Sequence, residues 1–298
     1  MKYLRLAGTA LFLIVLPFSA LLAPQEASSQ TTEIPAAYSA EQAQPARSTH
    51  PHPIWSVTVK REGYTISGLI AHVKGVERPK YGIALFPGAP GIMKIREESG
   101  RIKFELAGNF LVRSSRHWLD EETLVAIVDA PSDNWASFLQ SFRETPRYGA
   151  DVAALLEEVG RRTGVKDWTF VGTSEGSISA FHAARMNPTL ANRVILTSSL
   201  FRAQDGRGLY QVRWQDLQTK LLWVHHEHDP CVATLYRDAR AYARKTDAPL
   251  ITVRGGGPGK GSACQAFTAH GFVGVERETV AAMHSWVKTG AVPADVSR

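Results

Sequence analysis

Apolar and polar side chains alternate along Trp55-Ser56-Val57-Thr58-Val59-Lys60, the pattern of a strand with one buried face. Gly63 interrupts the alternation at a turn and residues 64–71 resume it, so the two runs are expected to pair as antiparallel strands. Beyond them the pattern changes. Residues 81–86, 124–129, 168–171, 194–197, 221–225 and 250–253 are short, largely apolar runs, each closed within a few residues by Gly, Pro, Ser or Asp. Strands covered on both faces read this way, which is the condition inside a parallel sheet. Helical stretches lie between them. Residues 148–161 place Val152, Leu155, Leu156 and Val159 on one face, and residues 175–186, 231–244 and 277–288 also read as helices. This alternation predicts an α/β domain with a mostly parallel, doubly wound sheet entered by an antiparallel pair. No internal repeat is visible.

The start of the chain has a different character. Two positive charges, Lys2 and Arg5, precede an apolar stretch over residues 6–23, and a polar segment rich in Ala, Gln, Ser and Thr follows. These are the parts of a secretory signal peptide. Ala27-Ser28-Ser29 supplies small residues for cleavage, with Ala23 as another point, so residues 1–29 are expected to be removed on export. A retained anchor is the competing reading of the same run, and the only expected membrane contact. Residues 30–52 hold Pro35, Pro45 and Pro51 among small polar residues and are expected to be a disordered linker. Residues 53–298 then form one domain, large enough to bury a sizeable core unaided. The formal net charge of +6 is spread along the chain without a run of like charges, which argues against a nucleic-acid partner. Cys231 and Cys264 are the only cysteines, and in the periplasm or outside the cell they are expected to join as a disulfide.

The chemistry centres on Gly172-Thr173-Ser174-Glu175-Gly176. The pattern alone is also that of a glycine turn with an incidental serine. Here an apolar strand precedes it and a helix follows, so Ser174 is expected on a sharp turn, exposed as a nucleophile. Flanking glycines would remove side chains that collide there. A serine hydroxyl needs a base oriented by a third group. Asp229, after the run 221–225, is the expected acid, and His270, beyond the last apolar run, the expected base. Glu227 is the rival acid, and His284, inside the last helix, reads as a packing residue. His225, His226 and His228 raise the question of a metal, but no further ligand is evident, so no metal or cofactor is expected. Two N–H donors should face the developing oxyanion. One is Glu175, directly after the nucleophile. The other falls in Phe86-Pro87-Gly88-Ala89-Pro90-Gly91, where Pro90 has no N–H, leaving Ala89 first and Gly88 second. The Glu175 carboxylate would oppose the oxyanion, so it is expected to point away. A Cys231–Cys264 bond would tie the acid loop to the histidine loop.

With these motifs in order, the chain resembles the α/β-hydrolase superfamily from about residue 55 to 287. More narrowly, Pro87-Gly88-Ala89, His228-Asp229, Cys231, Cys264 and His270-Gly271-Phe272 are similar to those of exported bacterial hydrolases of unassigned substrate. The resemblance implies an α/β-hydrolase fold and cofactor-free hydrolysis of a small-molecule ester, amide or related acyl group. Pro87 stands where many lipases and esterases carry a histidine. Residues 200–217 are too short for a large cap domain. The longer insertion, residues 90–121, carries Phe104, Phe110, Arg113, Arg116, His117 and Trp118 and is a candidate wall of the site. Arg113 and Arg116 are read either as receivers of an acidic substrate group or as partners of surface carboxylates. Residues 255–261 are a candidate rim. A carboxylic-ester hydrolase is the first functional reading. A peptidase or amidase of the same fold, and a non-catalytic binding protein on that scaffold, are the alternatives.

Overall fold

The structure, a computed structural model, describes residues 32–35, 52–293 and 295–297. The apolar run at residues 6–23 and its cleavage points lie outside them, as does most of the segment read as a linker. No helix among the described residues is long and apolar enough to cross a membrane.

The elements are β1 (Thr32–Pro35), β2 (Ile54–Lys60), β3 (Thr65–Ala71), β4 (Tyr81–Phe86), β5 (Arg96–Glu98), β6 (Arg101–Phe104), α1 (Phe110–Ser114), β7 (Thr123–Val128), α2 (Gln140–Arg143), α3 (Pro146–Thr163), β8 (Asp167–Ser174), α4 (Glu175–Met186), β9 (Ala191–Ser199), β10 (Lys220–His226), α5 (Tyr236–Thr246), β11 (Leu250–Val253), α6 (Glu276–Thr289) and β12 (Asp295–Val296). Among the described residues nine strands form the main sheet, in the order β12-β11-β10-β9-β8-β4-β7-β3-β2. The pair β2–β3 is antiparallel, β3 meets β7 antiparallel, and every later pairing is parallel. β1 pairs with β6 in a small separate sheet.

Helices cover both faces. On one, Val152, Leu155, Leu156 and Val159 of α3 pack with Phe181 of α4 and Tyr242 of α5 against Phe170 and Trp223. On the other, Phe110 of α1 and Val280 and Met283 of α6 cover Val171, Val224 and Ile251. The four apolar positions that predicted α3 are thus its buried stripe. Thr145 caps that helix by accepting from the Tyr148 N–H, Pro146 opens it, and Gly164 ends it at φ 81°.

β8 is the middle strand of the nine, and its last residue is Ser174. The runs at 81–86 and 250–253 and the helix at 175–186 have the predicted bounds. The helix predicted over 231–244 starts later, at Tyr236, because the preceding residues form a loop around the Asp229 side chain. Residues 200–217 hold one short 3-10 turn, Trp214–Asp216, and no cap domain.

Candidate active site

The turn at Ser174 is tight. Its φ of 53° and ψ of −124° lie where L-residues are rarely found, strain of the kind that collects at functional sites. A side chain at Gly172 would strike the backbone of Gly176, and one at Gly176 would strike the Phe86 and Pro87 carbonyls. Both glycines are therefore required by backbone contact. The Ser177 hydroxyl donates to the Ser174 carbonyl at 2.5 Å and accepts the Leu200 N–H at 3.0 Å, fixing the turn from below. Gly88 runs beside it: a Cβ there would lie 3.1 Å from Ser174 Cβ and 3.5 Å from Asn109 Nδ2. The turn thus lifts Ser174 to the carboxyl edge of the sheet at the N-terminus of α4, with the 87–91 loop alongside.

Asp229 and His270 meet. His270 Nδ1 lies 3.0 Å from Oδ2 and 3.2 Å from Oδ1 of Asp229, and both residues are buried. The carboxylate is also held by its own loop, whose Thr234 Oγ1 lies 3.2 Å from His270 Nδ1 as well. It accepts the Cys231 N–H on Oδ1 at 2.9 Å and the Thr234 hydroxyl on Oδ2 at 2.9 Å. The histidine loop is fixed as well. Ser198 donates its hydroxyl to the His270 carbonyl at 2.7 Å, Thr268 Oγ1 accepts the His270 N–H at 3.1 Å, and Arg113 donates to the Gly271 carbonyl at 2.7 Å. Ser198 precedes Ser199, the register partner of Ser174, so His270 is anchored at the strand end next to the serine. Among the described residues no hydrogen bond joins Ser174 to His270. Such contacts are commonly loose without substrate.

The remaining candidates separate clearly. Glu227 pairs with Arg254 at 2.6 Å, which lowers its pKa, and among the described residues no hydrogen bond joins it to His270. His284 meets Thr123 Oγ1 at 2.9 Å and packs against Trp118. His225 Nε2 accepts the Ser199 N–H at 2.9 Å, and burial holds its pKa at about 3, so the ring is neutral. His226 faces the Gly255 carbonyl at 3.0 Å. No group of three metal-ligating side chains exists among the described residues. Phe104, Phe110 and Trp118 lie in the core instead of walling the site, because the insertion packs against α6. Arg113 is taken by Glu276 at 2.9 Å and Arg116 is exposed.

Glu175 turns its carboxylate onto Gln140 Nε2 at 2.7 Å and Arg143 Nη2 at 3.0 Å. Sequence reasoning missed both partners, and also Thr234, Ser198 and Asp129. Asp129 closes β7 and is fully buried, and burial pushes its pKa up to about 6 against the pull of N–H donors. It accepts three of them: Met93 at 2.7 Å, Ile95 at 2.8 Å and Ala130 at 2.7 Å. It therefore pins the chain just beyond the 87–91 loop. Asp129→Asn turns one acceptor into a donor against these N–H groups. The expected loss is about 2–4 kcal/mol of stability, read by denaturant unfolding, since buried donors are left unsatisfied. An unchanged midpoint would show that the loop does not depend on this carboxylate.

Cys231 and Cys264 form the disulfide, 33 residues apart in sequence. It links the acid loop to the segment leading to His270, and the Cys231 N–H is itself a ligand of Asp229. The double Cys→Ser variant is expected to lose up to roughly 3–4 kcal/mol from chain entropy. If the Asp229–His270 pair serves a reaction, its rate should also fall several-fold as Asp229 drifts. Equal stability and equal activity would leave the link without either role.

No protein-family model matches the chain, and no curated protein sequence matches it. Solved structures do. Est1E from Butyrivibrio proteoclasticus superposes with a TM-score of 0.50 at 13% identity, over 78% of this chain and 96% of its own. Its ferulic acid complex gives 0.52 at 15%, over 78% of this chain and 100% of that one. The acylaminoacyl peptidase of Pyrococcus horikoshii gives 0.53 at 9%, over 80% of this chain and 42% of that one. With the strand order and the central turn, these likenesses identify the α/β-hydrolase fold.

Proposed function

We propose that this chain, built on the α/β-hydrolase fold, is a serine hydrolase that cleaves a carboxylic ester or related acyl substrate through Ser174, His270 and Asp229. The observation that carries the reading is the buried Asp229–His270 pair, anchored through Ser198 at the strand end beside the strained Ser174 turn. A glycine turn with an incidental serine would not need a second, separately secured acid–imidazole pair at the same sheet edge.

In the proposed reaction His270 Nε2 takes the Ser174 proton as Oγ bonds to the carbonyl carbon. Asp229, accepting from Nδ1–H, keeps the imidazole in that tautomer and stabilises its charge. The Glu175 N–H and the Ala89 N–H, with Gly88 as the second choice, would hold the oxyanion. The alcohol leaves with the proton from His270. Water, deprotonated by His270, then attacks the acyl-enzyme and releases the acid and the serine. No cofactor enters this sequence. The disulfide supports the reading of residues 1–29 as an export signal and the mature domain as periplasmic or secreted. Of residues 30–52, read as a linker, Thr32–Pro35 instead pairs as β1 with β6, so the linker reading is kept only for the rest of that segment.

A fluorophosphonate probe on the mature protein tests the proposal. Labelling confined to Ser174 and abolished by heat unfolding is expected. A folded protein that stays unlabelled would favour a binding role on this scaffold. A p-nitrophenyl ester series beside aminoacyl anilides separates ester from amide hydrolysis, with faster turnover of the esters expected.

A further inference from the structure

Glu175 occupies an awkward place for the proposed reaction. Its N–H is to stabilise a developing negative charge, while its own side chain carries one. The carboxylate is not left to water. Oε1 accepts Gln140 Nε2 at 2.7 Å and Oε2 accepts Arg143 Nη2 at 3.0 Å. The Arg143 side chain is 1% exposed, and Glu175 20%. From the same buried position Arg143 reaches the facing loop: Nη2 donates to the Pro90 carbonyl at 2.8 Å, next to Ala89. Nη1 donates to Ser179 Oγ of α4 at 3.0 Å, and the guanidinium lies 3.9 Å from the centre of the Phe138 ring. The loop gives way to admit it. A Cβ on Gly91, already at φ 70°, would come within 3.0 Å of both Nη atoms.

We propose that Arg143 is the positioning residue of the oxyanion site, cancelling the Glu175 charge and fastening the two segments that supply the N–H donors. This rests on the reading of Ser174 as nucleophile and of Glu175 and Ala89 as donors. Burying a guanidinium is costly, and ion pairs of this kind add little net stability compared with apolar side chains of the same volume. Its position instead answers two needs of the site. The donors sit on separate elements, α4 and the loop after β4, and the spacing between them decides how well an oxyanion is held. A carboxylate on the first of them would raise the energy of that anion unless a cation lies against it. One planar group with several N–H donors meets both needs, which a lysine ammonium does not. Gln140 fixes the other carboxylate oxygen. Its own Oε1 accepts the Gln204 N–H at 2.7 Å, so the loop after β9 is drawn to the same point.

The test is a charge-rescue cycle read on the full mature enzyme, with p-nitrophenyl esters and fluorophosphonate labelling. Arg143→Met leaves Glu175 unopposed and is expected to lower kcat about 10²–10³-fold with KM within about threefold, the range of a lost oxyanion contact. Glu175→Gln alone should lose less. The double variant Arg143→Met/Glu175→Gln, with neither charge, should recover at least about tenfold over Arg143→Met. Where Arg143→Met does not fold, Arg143→Gln with and without Glu175→Gln is read the same way. A folded double variant no faster than its Arg143 parent would overturn the charge role, and a parent within threefold of wild type would overturn the proposal entirely. Ser174→Ala separates this from failure of the underlying reading: if that variant stays active the reaction is misassigned, whereas an inactive Ser174→Ala with no rescue removes Arg143 alone.

Discussion

Ser174→Ala is expected to lower kcat on the order of 10³-fold or more while the protein stays folded. The argument has two halves. Deleting Oγ removes the atom that would bond to the acyl carbon, and the neighbouring hydroxyls of Ser177 and Ser198 are already engaged. Ser177 is committed to the Ser174 carbonyl and the Leu200 N–H, and Ser198 to the His270 carbonyl. The fold, by contrast, asks little of Oγ. Alanine keeps the Cβ that packs near Gly88, and it meets the same cost at φ 53° that serine already carries. Thermal unfolding should therefore change little while turnover collapses and fluorophosphonate labelling disappears. Activity close to wild type would remove Ser174 from the reaction, however well the turn fits it.

What could be read from the chain alone depended on the range over which each signal acts. The α3 stripe and the Gly172–Gly176 turn are local: periodicity, a cap, and side chains too close to tolerate a Cβ. They were legible because one window of sequence contains both cause and effect. Asp229 and His270 were legible for a different reason, since each follows an apolar run and the strand order carries both to one edge. Thr234 and Ser198 carried no such mark. A threonine in a loop and a serine ending a strand are ordinary, and their roles arise from partners 5 and 72 residues away. Arg143 ends a four-residue helix that apolar periodicity could not reveal, and it contacts Pro90 across 53 residues. The late start of α5 has the same origin. Helical periodicity was present from Cys231, but the Asp229 side chain captures the Cys231 N–H and the Thr234 hydroxyl, and that loop replaces the first helical turn.

The same capture makes Asp229→Asn the sharper test of the proposed triad, with an expected loss of about 10³–10⁴-fold in kcat at little cost in binding. As a carboxylate, Asp229 can accept everything that faces it. Oδ1 takes the Cys231 N–H, Oδ2 takes the Thr234 hydroxyl, and both lie within 3.2 Å of His270 Nδ1. An asparagine has one acceptor oxygen and one donor NH₂. The Cys231 N–H cannot rotate and the disulfide holds that residue, so the oxygen is expected to stay with it. The NH₂ must then occupy the Oδ2 position and donate toward Nδ1. That interaction favours the imidazole tautomer with a bare Nδ1 and its proton on Nε2. In that tautomer the nitrogen meant to receive the serine proton already carries one. The Thr234 hydroxyl can rotate and accept from the new amide instead, so the fold should tolerate the change with a loss of about 1–2 kcal/mol. The direction of the failure therefore distinguishes the roles: activity should fall by orders of magnitude with the site intact, and recover in part at high pH where hydroxide replaces the general base. A variant that loses activity only in proportion to its loss of folded protein would make Asp229 an anchor of its loop and return the search for the acid to the strand ends around His270.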